Sequence, residues 1–239
     1  MEGERLSTRE RDGRPRSINI AIDGPAGAGK STVARRVAER LGYVYIDTGA
    51  MYRAVALAAL RQGVEAGDGE AVAALAEGLD IRLRPGESGQ KVLLNGEDVT
   101  DDIRSRDVTL RVSQVAAVER VRRLLADKQR GLAARKGVVM DGRDIGSHVL
   151  PDAELKVFLT ATVEERAERR FRESGERQGV TLEQLRQEIA ERDRMDRERA
   201  VSPLVCAPDA VVLDSTDMSI DDVTQAIVDL SRTKIGEAK

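Results

Sequence analysis

Short apolar runs alternate with longer amphipathic stretches along most of the chain. The runs span residues 18–22, 43–46, 137–140, 154–160 and 210–213, and β-branched residues are frequent in them. Runs of this length that are apolar on both faces are typical of strands inside a parallel sheet. Because each run is followed by sequence with helical periodicity, the pattern predicts an α/β fold in three layers, with helices on both faces of a parallel sheet.

A different pattern occupies residues 79–99. Apolar and polar residues alternate with period two on both sides of a turn-like segment, residues 85–89 (PGESG). This alternation predicts a small antiparallel sheet inserted in the parallel fold. Helical periodicity resumes from about residue 106 and is broken near Glu119.

The segment between the first predicted strand and the first predicted helix matches a phosphate-binding pattern. The eight residues after Asp23 fit G-x-x-x-x-G-K-[ST] at every fixed position. Together with the residue that follows, they are Gly24, Pro25, Ala26, Gly27, Ala28, Gly29, Lys30, Ser31 and Thr32. Glycines let backbone N–H groups surround an oxyanion, and the helix N-terminus adds its partial positive charge. The context predicts an ATP-binding loop, with Lys30 on the β- and γ-phosphates and the Ser31 hydroxyl as a ligand of Mg²⁺.

Acidic residues follow the predicted strands of the parallel sheet. Asp23, Asp47, Asp141 and Asp144 all lie at or just after strand ends. Ligands of open α/β sheets bind at the carboxyl ends of the strands, so we expect the active site at this edge. Thr48 is expected to cap the helix that follows the second strand.

Length and composition limit the possible classes of protein. The 239 residues suffice for one α/β domain, which we expect to span residues 17–232 between a disordered tail at 1–16 and a short tail at 233–239. Basic and acidic residues nearly balance (39 and 42), and aromatic residues make up only 2%. Both values argue against a nucleic-acid partner. No apolar run approaches membrane length, so a soluble, cytoplasmic protein without a membrane partner is expected.

The chain has one cysteine and one histidine. Cys206 alone cannot form an internal disulfide, and we expect it to be a small buried apolar residue. His148 is expected to be structural or exposed, because phosphoryl transfer to a phosphate needs no strong base.

Residues 164–199 are dense in arginine and acidic residues. Most of this pattern is typical of exposed helices with ion pairs one turn apart. Gly175 and Gly179 interrupt it, which predicts a mobile lid at about residues 171–180. The arginines expected to fold with this lid over a transferring phosphoryl group are Arg166, Arg169, Arg170 and Arg172.

The phosphate-binding loop occurs in several classes of protein, and one large class is excluded. Guanine-specific proteins carry N-K-x-D, but neither asparagine of this chain, Asn19 or Asn95, precedes a lysine. The pattern Asp-x-x-Gly is also missing from the sequence. A small kinase remains as the best interpretation.

Four segments carry a resemblance to a known family. At DTGAMYR (47–53), SQVAA (113–117), DGRDIG (141–146) and ERDRMDRERAVSPL (191–204) the sequence resembles the bacterial cytidylate kinases, a branch of the nucleoside monophosphate kinases. The likeness extends from about residue 18 to residue 230.

The resemblance implies a three-part enzyme, and we expect a monomer. Its parts are the core with the phosphate-binding loop, a monophosphate-binding part of about residues 48–118 that includes the inserted sheet, and the short lid. It implies transfer of the γ-phosphoryl group of ATP, with Mg²⁺, to CMP or dCMP, which gives ADP and CDP or dCDP.

The resemblance also assigns residues to parts of the site. It puts Arg53, Arg143 and Arg199 on the acceptor phosphate, which makes them, with Lys30, the candidate catalytic residues. The other assignments are Ser113, Arg122 and Asp144 at the cytosine, Arg192 and Asp196 at the ribose, Thr48, Tyr52 and Asp141 in the same pocket, and Arg166 with Arg169 or Arg170 on the donor phosphates. Whether Ser31 or Thr32 contacts the metal stays open.

Two alternatives remain at this point. The first is a kinase for UMP, AMP or a metabolite hydroxyl group, and a hydroxyl acceptor would require a carboxylate base such as Asp47 or Asp141. The second is a nucleotide-binding regulator without catalytic activity, against which the loop, the acceptor arginines and the lid together argue.

Overall fold

The computed structural model describes residues 17–86, 89–175 and 179–237, and two sheets organise them. The strands are β1 (Asn19–Asp23), β2 (Val44–Asp47), β3 (Ile81–Gly86), β4 (Gly89–Leu94), β5 (Glu97–Asp98), β6 (Val138–Gly142), β7 (Leu155–Thr160) and β8 (Val211–Asp214). The helices are α1 (Lys30–Leu41), α2 (Thr48–Arg61), α3 (Gly69–Glu77), α4 (Arg106–Ala117), α5 (Glu119–Ala133), α6 (Val163–Arg170), α7 (Leu182–Glu198) and α8 (Ile220–Glu237). Short helical turns occupy Asp102–Arg104, Ile145–Val149 and Phe171–Gly175.

The larger sheet has five parallel strands in the order β2-β6-β1-β7-β8. Its central strand β1 is buried along its whole length, and Ile20 and Ile22 expose none of their surface. Burial on both faces explains why the strand sequence is apolar without alternation. The predicted α/β fold with a parallel sheet is confirmed.

The smaller sheet is antiparallel, in the order β3-β4-β5. In β3 and β4, Ile81 pairs with Leu94 and Leu83 with Val92, so these alternate residues lie on the face that packs inward. The predicted inserted sheet is confirmed, and its turn residues 87–88 lie outside the described part of the chain.

Helices cover both faces of the parallel sheet. On one face, Val33 and Val37 of α1 pack with Val223 and Ile227 of α8 against β1 and β7. On the other face, residues of α5 and of the turn after β6 form a second apolar cluster with β6. A third cluster joins helices α2 to α5 to the small sheet. This third cluster holds the small sheet beside the carboxyl edge of the parallel sheet, where β4 contacts β2.

Three local expectations differ from the structure. Asp47, and not Thr48, caps α2, because its carboxylate accepts a hydrogen bond from the Ala50 N–H (2.9 Å) while Thr48 is already helical. Helix α8 continues through Glu237, beyond the predicted domain end at 232, since Ile235 still packs against the core. Cys206 is exposed, because its coil segment buries Leu204 and Ala207 instead.

Several other expectations have a simple outcome. His148 is exposed, as predicted. Of the predicted lid, residues 176–178 lie outside the described residues, as does the predicted tail 1–16. None of the helices in the described ranges combines the length and the apolar character that crossing a membrane would require.

Candidate active site

The phosphate-binding loop connects β1 to α1 and depends on its glycines. Gly24 has a φ of +149°, and a Cβ there would lie 1.9 Å from the carbonyl oxygen of Leu159. Gly27 and Gly29 also have positive φ values, 76° and 83°. Because side chains are excluded from these turns, the loop backbone is left free to wrap an anion at the N-terminus of the 12-residue helix α1.

Lys30 is the first residue of α1 and is 94% buried, with 6% of its surface exposed. Its Nζ donates a hydrogen bond to the carbonyl oxygen of Pro25 (2.7 Å). Burial lowers the pKa of Lys30 well below its usual value, and Arg143 nearby adds to this effect. An anion bound in the loop would reverse this depression and stabilise the charged ammonium group.

A cavity of about 1150 Å³ lies between this loop, the small sheet and the C-terminal end of α6. Arginine side chains from separate parts of the chain line it, together with Lys30 and Lys91: Arg35, Arg53, Arg104, Arg143, Arg169, Arg170, Arg172 and Arg192. Guanidinium groups bind phosphate oxygens bidentately, so the cleft suits more than one phosphorylated group.

Asp141, at the end of β6, faces this cleft and has an unusual environment. It accepts hydrogen bonds from Ser31 Oγ (2.9 Å) and from the Tyr45 hydroxyl (3.0 Å). Burial raises the pKa of Asp141 to about 7, and the carboxylate of Asp47 reinforces this while Lys30 opposes it. Its carboxylate therefore benefits from any added positive charge.

The oxygens of Ser31 and Asp141 fit Mg²⁺, a hard cation that prefers oxygen ligands. The described residues contain no group of three or more His, Cys, Asp or Glu side chains that could hold a metal ion by themselves. A cation here would therefore take most of its ligands from phosphate and water, as Mg²⁺ does with nucleotides.

We expect Asp141→Asn to change how stability depends on pH. The pKa of Asp141 in the folded protein, about 7, exceeds its unfolded value of 3.8, so its contribution to stability is fully present below the unfolded value and is lost as pH rises through about 7. Asparagine has no such loss. As the pH is raised from about 5 to 8, the Tm of the unliganded variant, measured by calorimetry, should therefore rise by roughly 5–10 °C relative to that of wild type. The exposed Asp152→Asn serves as control. Parallel curves for Asp141→Asn and wild type would contradict this account.

A buried cluster of charged side chains lies beside the cleft, around Asp144. Arg122 Nη2 donates to Asp144 Oδ2 (2.5 Å), and Arg199 Nη2 lies 3.5 Å from Asp144 Oδ1. The guanidinium carbon of Arg122 is 5.4 Å from the centre of the Tyr52 ring. Ser113 lies on α4, the helix whose Ala116 carbonyl accepts from Arg122 (3.0 Å). The structure thus brings two of the residues predicted at the base, Arg122 and Asp144, into contact, and their role at the base stays a prediction.

Asp196 connects the predicted phosphate and ribose residues to this cluster. Arg143 Nε donates to Asp196 Oδ2 (2.8 Å), and Arg199 Nη1 lies 3.9 Å from Asp196 Oδ1. Burial works against the charge of Arg143, but Asp196 outweighs it and raises the pKa of this guanidinium. Thr48 donates to the carbonyl of Asp141 (2.7 Å), which ties the start of α2 to the end of β6.

The surroundings of two arginines of the cleft disfavour their positive charge. Burial lowers the pKa of Arg53 to about 10, and burial with the charge of Arg143 lowers that of Arg192 to about 9. Arg53 donates to the Ile103 carbonyl (3.2 Å) and to Thr109 (2.8 Å). The buried Nε of Arg192 has no hydrogen-bond partner among the residues that the structure describes. These environments favour an anion between the two arginines.

The three arginines predicted at the donor phosphates have different positions. Arg169 and Arg170 line the cleft, and Arg169 also donates to Glu165 (2.8 Å) and to the carbonyl of Ser215 (2.6 Å). Arg166 lies behind the loop, where it contacts Ala26 and Asp193. Its direct contact with donor phosphates stays a prediction, which this position does not favour.

Sequence reasoning missed several side chains of the cleft. Gln90 of β4 accepts a hydrogen bond from the Asp47 N–H (3.1 Å) and so links the small sheet to the end of β2. Arg104 lines the cavity as well. No local signal separates these residues from the many exposed polar ones, because only the folded arrangement brings them to the cleft.

Comparisons with known proteins identify the family of this chain. The family model described as cytidylate kinase matches residues 20–233. The cytidylate kinase of Exiguobacterium sibiricum is 56% identical over 217 residues, which are 90% of this chain and 97% of that protein. The cytidylate kinase of Geobacillus kaustophilus is 55% identical over 222 residues, 92% of this chain and 99% of that protein.

Among solved structures, the shikimate kinase of Bacteroides thetaiotaomicron matches with a TM-score of 0.47 and 15% identity, over 91% of this chain and 99% of that one. A likeness this distant carries no information about activity. The match to the family model and the two relatives extend over nearly the whole chain. This chain therefore belongs to the cytidylate kinase family.

Proposed function

We propose that the chain transfers the γ-phosphoryl group of ATP to CMP or dCMP and releases ADP and CDP or dCDP. The observation that carries the proposal is the arrangement of two neighbouring features: an arginine-lined cleft beside the phosphate-binding loop, and the buried cluster of Arg122, Asp144 and Arg199. Arg143 of the cleft contacts Asp196, which lies 3.9 Å from Arg199 of the cluster. The donor polyphosphate is placed at the loop and the polar, planar base at the cluster. Family membership supports the same reaction.

The loop and the lid bind the donor. Backbone N–H groups of residues 27–32 surround the β-phosphate, Lys30 neutralises the β- and γ-phosphates, and Arg169 and Arg170 of the cleft lining contact the donor phosphates as well. Ser31 or Thr32, with Asp141 beside it, holds Mg²⁺, which when bound neutralises phosphate charge and fixes the phosphate geometry. The predicted lid, about residues 171–180, excludes water that would otherwise accept the phosphoryl group.

The acceptor phosphate is held by Arg53, Arg143 and Arg199, and Arg192 with Asp196 binds the ribose. Thr48 and Tyr52 complete the wall of the pocket. The acceptor is already ionised near neutral pH, since the second pKa of a phosphate ester is about 6, so no strong base is required. The arginines offset the repulsion between two polyanions and align the acceptor oxygen with the γ-phosphorus.

The enzyme distinguishes cytosine from uracil at the exocyclic amino group of the base. We expect Asp144 to accept a hydrogen bond from it, with Arg122 and Ser113 beside it. Uracil presents a carbonyl oxygen at the same position, which a carboxylate repels.

The variant Asp144→Asn tests this selection, because an amide can present a donor or an acceptor. We expect kcat/KM for CMP to fall by roughly 10–100-fold while that for UMP falls less or rises, as a base contact of this kind is worth about 1–3 kcal/mol. The measurement is ADP release in a coupled assay with each monophosphate.

The matched control is Glu198→Gln on the exposed side of α7, which should leave the ratio of CMP to UMP activity unchanged. An equal loss for both acceptors in Asp144→Asn would mean that Asp144 only orients Arg122 and Arg199 and does not choose the base.

The cellular setting is part of the proposal. We propose a monomeric, cytoplasmic enzyme without nucleic-acid or membrane partners, in line with its net charge of −3. Sedimentation at micromolar concentration tests the monomer.

A further inference from the structure

One residue of the phosphate-binding loop, Ala26, is held on both sides by buried charged side chains. The N–H of Ala26 donates to Asp193 Oδ1 (3.3 Å), and its carbonyl oxygen accepts from Arg166 Nη1 (2.8 Å). Arg166 Nη2 and Asp193 Oδ2 lie 2.7 Å apart, with 3% and 4% of these side chains exposed. The three contacts close a ring around Ala26.

The two side chains come from the helices on either side of the predicted lid. Arg166 lies on α6 and Asp193 on α7, and Ala167, Leu185 and Ile189 form an apolar core between these helices. Arg166 Nε also donates to the carbonyl of Ala161 (3.0 Å). The base of the lid is thereby attached directly to the loop.

The loop also packs against this arginine. A Cβ at Gly27 would lie 3.3 Å from Arg166 Cβ, so the loop backbone runs along the arginine stem. All three guanidinium nitrogens of Arg166 take part in these contacts. Arg166 therefore faces the loop, and it is not among the described residues that line the cavity.

A buried ion pair is a poor way to stabilise a fold, because desolvation of both charges cancels much of their attraction. Two apolar side chains of similar volume would pack the same space at least as well. They could not hold both the N–H and the carbonyl of Ala26, which belong to the two successive peptide groups on either side of its Cα and so fix both peptide planes. The second of these peptides carries the N–H of Gly27, so its orientation sets the direction of the N–H groups that follow in the loop.

We propose that Arg166 and Asp193 are positioning residues for the donor: they hold Ala26 so that the loop is preformed for the ATP polyphosphate, and they couple the lid helices to the loop. Arg166 thus acts through the loop backbone and is not itself a phosphate ligand. The inference rests on the proposed function for the identity of the donor.

The test compares Arg166→Met, Asp193→Leu and the double variant with wild type. The Kd of a non-hydrolysable ATP analogue and the Kd of CMP are measured by calorimetry, together with Tm, kcat and both KM values. We expect both single variants to weaken the analogue by at least about 10-fold and CMP by less than about threefold. The double variant should recover Tm, because no unpaired charge remains buried, and yet bind the analogue as weakly as the single variants.

The conservative variant Asp193→Asn tests whether an oxygen at this position restores binding of the analogue. It also keeps the test possible if Asp193→Leu does not fold. It retains an oxygen for the Ala26 N–H, so it should bind the analogue more tightly than Asp193→Leu does. The exposed ion pair of Arg194 and Glu198 on the same helix gives the matched control: Arg194→Met should change neither Kd.

Three outcomes would overturn the inference. If Arg166 were a direct phosphate ligand, Arg166→Met alone would weaken the analogue and Asp193→Leu would not. If the pair were only structural, the affinities for the analogue and for CMP would fall together, or the double variant would bind the analogue like wild type. Failure of wild type to phosphorylate CMP would refute the proposed function instead, and analogue binding would still decide the role of the pair.

Discussion

Lys30→Met is expected to lower kcat by about 10³-fold while Tm changes by only a few degrees. The lysine supplies a full positive charge where charge accumulates on the β- and γ-phosphates. Without a bound anion, the buried charge of Lys30 destabilises the fold, because burial lowers the pKa of this lysine well below the usual value. Methionine fills a similar volume at the start of α1 and is a good helix former, so the helix should persist. Steady-state kinetics and calorimetry measure the two effects.

Arg36→Met is the matched control, since Arg36 lies on the same helix in an exposed ion pair with Asp221. It should retain activity. Retention of more than about a tenth of wild-type kcat by Lys30→Met would mean that the loop does not act as a catalytic phosphate cradle.

Arg143→Gln should lower kcat/KM for CMP by roughly 10²–10⁴-fold, while KM for ATP changes little. Arg143 lines the cleft and contacts Asp196, and in the proposed function its charge offsets the repulsion between donor and acceptor. Its loss also leaves Asp196 with less compensation, so Tm should fall. Kinetics with each substrate varied separately give the two KM values.

Two further variants separate charge from geometry and activity from stability. Arg143→Lys keeps the charge but loses the fork that binds a phosphate bidentately, so it should recover less than about a tenth of the lost activity. Arg143→Gln combined with Asp196→Asn should recover Tm but not activity. An increase in KM for ATP as large as that for CMP would contradict the placement of Arg143 at the acceptor.

The fold could be predicted from local sequence to a large extent, for a physical reason. Strands of a parallel sheet are buried on both faces, so runs such as residues 18–22 are apolar throughout and easy to recognise. The small sheet has one inward face and therefore alternates. The ends of elements were less certain: Asp47 and Thr48 are both good capping residues, and only the contact of Thr48 with the Asp141 carbonyl decides between them.

The candidate site was predictable where a motif fixes the backbone, and less so where partners come from distant segments. The loop from Gly24 to Ser31 follows from glycine spacing alone. Arg166 resembles other arginines of a charged helix in the sequence, and its burial depends on Asp193 and on Ala26, which is 140 residues away. The exposure of Cys206 likewise depends on how a coil segment packs, which composition does not encode.

The central claim is that one cleft brings ATP and a cytidine monophosphate together for direct phosphoryl transfer. The most direct measurement is a single-turnover reaction with excess enzyme, γ-labelled ATP and CMP, in which the label is followed by chromatography. The account predicts that the label appears in CDP, faster than it appears in UDP or ADP when UMP or AMP replaces CMP. Label released only as inorganic phosphate, or transferred equally fast to UMP or AMP, would contradict it.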